Sequence, residues 1–167
     1  NINLGINYPS DYCQTNPDIM IPNMINGDAT ASAVSPAPTL YRIPYTAANT
    51  SPAPVSMATM GATGTIFGAA YQRGTDKLFS TAFLRRHTGL GPGGLGGIYL
   101  MNGTGSGSPV LYANLATLGQ NVGAGQLGVR GLATSLITSS IDATAFDNVG
   151  KIGLGALTIS DDFTKLY

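Results

Sequence analysis

Apolar and polar positions alternate most regularly between residues 65 and 115, and there the chain reads as sheet. The run TIFGAAY (65–71) has the character of a buried strand, QRGTD (72–76) of a turn, and KLFSTAFL (77–84) of a second strand. In the second run Leu78, Ser80, Ala82 and Leu84 share one face and Phe79, Thr81 and Phe83 the other, because successive strand side chains point to opposite sides. Two such runs five residues apart predict a β-hairpin. GGIYLMN (96–102) adds a third strand, GTGSGS (103–108) a flexible turn and PVLYANL (109–115) a fourth. Four strands in antiparallel succession over about fifty residues form one β-meander, the size of one propeller blade. Ile66, Phe67, Tyr71, Leu78, Phe79, Phe83, Ile98, Tyr99, Leu111 and Tyr112 are its candidate inward-facing residues.

The pattern is weaker on either side. Prolines at 9, 17, 22, 36 and 38 crowd the first forty residues. Each blocks helix and biases its predecessor toward extended backbone, so residues 1–64 are expected to be an irregular Pro/Gly-rich segment. One short strand is expected there, TLYRIPY (39–45), placed at an edge or a strand end by Pro44. Residues 116–150 hold too much glycine for a confident helix, although 116–140 is where helix is expected if anywhere. GLGALTISDDFTKLY (153–167) then repeats the start of the meander. Gly155-Ala156, an apolar run, a polar turn and Lys165-Leu166-Tyr167 parallel Gly68-Ala69 through Lys77-Leu78-Phe79. The expected division is therefore 1–64 and a propeller-like region, 65–167, of one blade and the start of another.

Composition agrees with sheet. Of 167 residues, 43% are hydrophobic but only 10% charged, against a usual quarter. There are 23 Gly and 10 Pro, and all eight acids are aspartate. Helices want Glu, Lys, Arg and Leu on their wet faces, whereas short strands and turns suit Gly, Pro, Thr, Ser and Asn. Net charge is zero, so no positive field draws nucleic acid or anionic lipid. No apolar run approaches a membrane span. Cys13, the single cysteine, has no partner in the chain. Low charge without glutamate points outside the cell.

The stretch FGAAYQRGTDKLFSTAFLRRHTGLGPGGLGGIYLMN resembles the propeller-like N-terminal region of large secreted bacterial surface proteins. These carry serine-aspartate-repeat B-like or other immunoglobulin-like modules downstream. Residues 67–99 match that family's AYQR…LF…RH.GFGPGG core, and 153–167 its later IDISDD segment more loosely. The opening DYCQTNPDIMIPNMINGD is also similar, although the family's second cysteine falls here at Asn23 or Met24, so its disulfide is missing. The resemblance implies a fold and a location, and lends no catalytic residue. It also implies that further strands, from a continuation of the same polypeptide or from neighbouring subunits, pair with the edges of this chain.

Four groups of residues invite chemical readings. GLGPGG (89–94) satisfies G-x-G-x-x-G, but a dinucleotide fingerprint must open a helix, and a strand is expected next. The favoured reading is a glycine-permitted loop. Arg85, Arg86 and His87 are candidate ligand-binding residues, the arginines suited to a carboxylate or phosphate. The competing and favoured reading ends a strand with them and bonds them to the turn. Asp161 and Asp162, with Asp142 and Asp147 nearby, are candidate calcium ligands, weighed against capping of a hairpin turn. Asn49-Thr-Ser and Asn102-Gly-Thr fit the N-glycosylation sequon.

One His, one Cys and no Glu leave no zinc set, and no G-x-S-x-G supplies a nucleophile. The expectation is an all-β, non-enzymatic structural or adhesive element of a bacterial surface protein or assembly, without a catalytic residue, metal or cofactor other than the candidate calcium. A propeller binding a glycan or peptide through Arg85, Arg86 and His87 is the alternative, and a secreted hydrolase the third reading.

Overall fold

The computed structural model describes residues 15–49, 51–104 and 108–167; Cys13 lies outside them. Among these residues seven strands form two antiparallel sheets. The first sheet is β1 (Asp18–Pro22), β2 (Pro38–Pro44) and β3 (Val55–Thr59) in that order. The second is β4 (Ile66–Gln72), β5 (Lys77–Ala82), β6 (Gly97–Asn102) and β7 (Val110–Asn114), again in chain order. Neither closes on itself. Among the described residues the two α-helices are single turns, α1 (Met60–Thr63) and α2 (Ala143–Phe146). No helix among the described residues is long and apolar enough to cross a membrane.

The four-stranded meander is the one the alternation predicts. Ala70 faces Phe79, and Phe79 in turn faces Leu100. The first sheet is the correction. Residues 18–59 hold three strands rather than one, because the prolines stand at strand ends: Pro22 closes β1, and Pro38 and Pro44 bound β2. β2 is consequently the central strand, not an edge. Helix is likewise absent from 116–140 apart from a three-residue 3-10 turn at Ala124–Gln126.

The sheets pack face to face. Leu40, Met57 and Ala58 from the first meet Ile66, Leu78, Ala82, Tyr99 and Met101 from the second. Of the expected inward residues, Phe67, Leu111 and Tyr112 are instead exposed. Leu111 and Tyr112 lie on the edge strand β7, and Phe67 packs on Phe83 with ring centroids 5.1 Å apart.

The other face of the second sheet carries the chain's last segment. Thr158 and Tyr167 exchange backbone hydrogen bonds of 3.0 and 2.9 Å, closing a hairpin over Ser160–Lys165. Gln72 Nε2 donates to the carbonyl of Phe163 at 3.0 Å, and Thr81 Oγ1 to that of Gly155 at 2.6 Å. Gly68 makes this approach feasible. A Cβ there would sit 2.6 Å from the Gly155 carbonyl oxygen and 2.7 Å from the Leu157 nitrogen. The two glycines paired by the internal repeat thus touch in space. Gly68→Ala is expected to lift residues 153–167 off the sheet while sparing the meander. Hydrogen exchange faster at 153–167 alone is the predicted result, and unchanged protection there would contradict the contact.

Candidate functional site

The strand β5 leads into a tight corner at Arg85–Gly89. His87 sits at its tip with φ +69°, a left-handed conformation costing an ordinary residue roughly 1–2 kcal/mol. Bonds on both sides hold it there. Its N–H donates to Asp142 Oδ2 at 2.5 Å, and its carbonyl accepts the Gly27 N–H at 2.9 Å.

Asp142 is 0% exposed, and an unpaired buried carboxylate would be costly. Arg130 neutralises it in a two-pronged pair, Nε to Oδ1 at 2.9 Å and Nη2 to Oδ2 at 2.5 Å. The same guanidinium donates to the carbonyls of Thr88 and Arg85, both at 2.8 Å. Burial pushes the Asp142 carboxyl up most strongly. The Arg130 bonds and the His87 amide nevertheless outweigh it, leaving the group below its ordinary range. The result is a brace that fixes the corner's backbone.

A second brace lies alongside. Asn26 Nδ2 donates to the Thr138 carbonyl at 2.7 Å, and its Oδ1 accepts the Ser140 hydroxyl at 2.9 Å. Ser140 Oγ accepts the Ala133 N–H at 3.0 Å. Asn26, Ser140, Leu136, Ile137, Thr138 and His87 line a hollow of about 360 Å³. Nδ1 of His87 is buried without a hydrogen-bond partner. The Ser140 proton is directed at Asn26, and Asp142 takes the backbone of His87 rather than its ring. In this geometry neither the Ser140 hydroxyl nor the Asp142 carboxylate bonds the His87 ring.

The side chains of Arg85 and Arg86 point outward. The described residues contain two ion pairs, Arg42–Asp18 and Arg130–Asp142, and neither outward arginine shares in one. The Arg86 guanidinium lies 5.3 Å from the centre of the Phe146 ring. The corner thus contributes its backbone to the turn, whereas the strand-end reading has the side chains bond the turn's carbonyls or aspartates; among the described residues neither guanidinium does so.

GLGPGG owes its glycines to backbone geometry. A Cβ on Gly89 would meet the Ala29 nitrogen at 2.5 Å, and one on Gly91 the Thr63 carbonyl carbon at 2.3 Å. Gly94 has φ +55°. A three-residue 3-10 turn and then β6 follow the loop.

Asp161 and Asp162 lie far along the chain in the terminal hairpin. Asp162 Oδ1 accepts the Ser160 hydroxyl at 2.6 Å, the Thr164 N–H at 3.1 Å and the Thr164 hydroxyl at 2.8 Å. Those bonds, Ser160 first, lower its carboxyl. Asp161 is exposed. Among the described residues no three His, Cys, Asp or Glu side chains gather as a metal set.

Local pattern does not single out Arg130 and Asn26, and it names Asp142 only beside the calcium candidates, whereas the structure pairs it with Arg130. One signal was present for the pair. Between residues 88 and 146, Arg130 and Asp142 are the only charges, and they are opposite. Comparison with protein-family models, with curated proteins and with solved structures finds no match to this chain.

Proposed function

We propose that the chain is a non-enzymatic structural or adhesive element of a bacterial surface protein or assembly, built as part of a β-propeller-like stack outside the cell. Three β layers follow one another face to face in chain order: the first sheet, the meander, and the terminal hairpin. That succession supports the reading, since propeller blades are four-stranded sheets arranged in sequence around an axis. The contact of Gly68 with Gly155 adds to it, because matching positions of successive layers abut. Low charge, the lack of glutamate and the family resemblance favour the extracellular side.

In this reading the outer edge of the hairpin at 158–167 pairs with another strand, from elsewhere in the same polypeptide or from a neighbouring subunit. Unpaired N–H and C=O groups along an edge recruit such partners. The test is hydrogen exchange at 153–167 in residues 1–167 expressed alone, compared with the native assembly. Weak protection alone and strong protection in the assembly is the expected result. A soluble monomer with full protection at that segment would overturn the proposal.

A further inference from the structure

The braced corner stands within an apolar surface. Val129 is 94% exposed, Ile137 95%, Ile141 76% and Phe146 67%. Arg130 and Asp142 tie their sequence neighbours Val129 and Ile141 to the corner, Ile137 lines the hollow beside His87, and Phe146 carries Arg86 on its ring. Exposed apolar residues gathered in this way mark interaction surfaces. Charge decides what kind. Among the described residues Arg85 and Arg86 have no carboxylate partner, and Asp147, which follows Phe146, forms an ion pair with neither. Among the described residues the one buried carboxylate, Asp142, is neutralised from within by Arg130.

We propose that this corner docks a protein segment that sets an acidic side chain between large apolar ones, the carboxylate received by Arg85 and Arg86 and the apolar groups by Ile137, Ile141 and Phe146. Planar guanidinium groups accept a carboxylate through two parallel hydrogen bonds. Here the aromatic ring orients the Arg86 guanidinium, and the brace holds the backbone that carries Arg85. An anionic membrane is the poorer fit: lipid surfaces are held by clusters of about four to eight basic residues, and this corner offers two. The inference rests on the adhesive part of the proposed function, and gives that adhesion a place and a chemistry.

The experiment is selection of a displayed random-peptide library on the full 167-residue chain, with binding of the enriched peptides then measured on variants. Enriched peptides are expected to carry Asp or Glu flanked by large apolar residues. Their affinity should fall about tenfold, the loss of roughly 1.4 kcal/mol, in each of Arg86→Ala and Ile137→Ser. Both positions are on the surface, and unchanged circular dichroism will establish that the variants fold. Enriched peptides without an acid, enrichment indifferent to both substitutions, or no enrichment would each overturn the proposal. So would phosphatidylserine vesicles binding the chain in an Arg86-dependent way where peptides do not. None of these outcomes bears on exchange at 153–167, so the stack and the corner fail separately.

Discussion

Asp142→Ala is expected to cost about 3–5 kcal/mol of folding stability, the usual price of removing one member of a buried ion pair and stranding the other. Arg130 would keep its charge, with its side chain only 9% exposed, and His87 would lose the acceptor that holds its left-handed backbone. A domain's whole stability is about 5–15 kcal/mol, so the urea midpoint should fall steeply. Arg130→Met should cost as much, and the double change Asp142→Leu with Arg130→Met should recover a large part. A loss under about 1 kcal/mol in Asp142→Ala would mean that the pair is solvated, as surface pairs are. The pH dependence has a definite sign. The folded carboxyl is held below its ordinary value of 3.8. Its contribution is therefore complete above that value and is lost as pH falls below it through the lower folded value. Asp76, lowered chiefly by the Thr104 hydroxyl, acts in the same direction. Asp142→Ala and the parent protein should converge in stability as the solution is made more acid than the ordinary value.

Gly64→Ala is expected to be at least as damaging, at about 3 kcal/mol or more, beyond the usual range of core overpacking. Gly64 has φ +62°, and a Cβ there would lie 2.0 Å from the Gly91 nitrogen and 2.4 Å from the Leu90 carbonyl carbon. Those are backbone atoms with no rotamer to yield, so the segment after α1 and the glycine loop would have to part. Gly74→Ala is the control, since nothing lies near its Cβ and its φ is not positive. It should be neutral or gain a few tenths of a kcal/mol from a stiffer unfolded chain. Thermal unfolding of the two variants side by side checks both. A Gly64→Ala protein as stable as Gly74→Ala would mean the backbones do not touch.

Local order was legible in the sequence, and long-range order was not. The meander announced itself because Leu78, Ser80 and Ala82 alternate with Phe79 and Thr81, and alternation is a property of the strand itself. The hairpin at 158–167 was legible through its likeness to β4 and β5. The first sheet was hidden because a proline reads the same at the end of a strand as in a loop, and only the pairing of Ile19 with Ile43 and of Leu40 with Ala58 distinguishes them. Leu111 and Tyr112 have the pattern of core residues, yet β7 has a neighbour on one side only. Arg85, Arg86 and His87 were visible as the sole cluster of cationic types, but their restraint comes from Arg130 and Asp142, which no local spacing connects to them.

The braces also set an order in time. Each sheet joins strands that follow one another along the chain, so its loops close cheaply and early. The corner closes far larger loops: Asp142 reaches back 55 residues to His87, and Thr138 lies 112 residues from Asn26. Closing a longer loop costs more entropy before any contact repays it, and nonlocal contacts slow folding. On a ribosome the meander can assemble while residues 116–167 are still being made, whereas the corner must wait for Asp142 to emerge. The arginine-bearing surface therefore matures after both sheets, and a chain interrupted before Asp142 would keep its sheets and lack its grip.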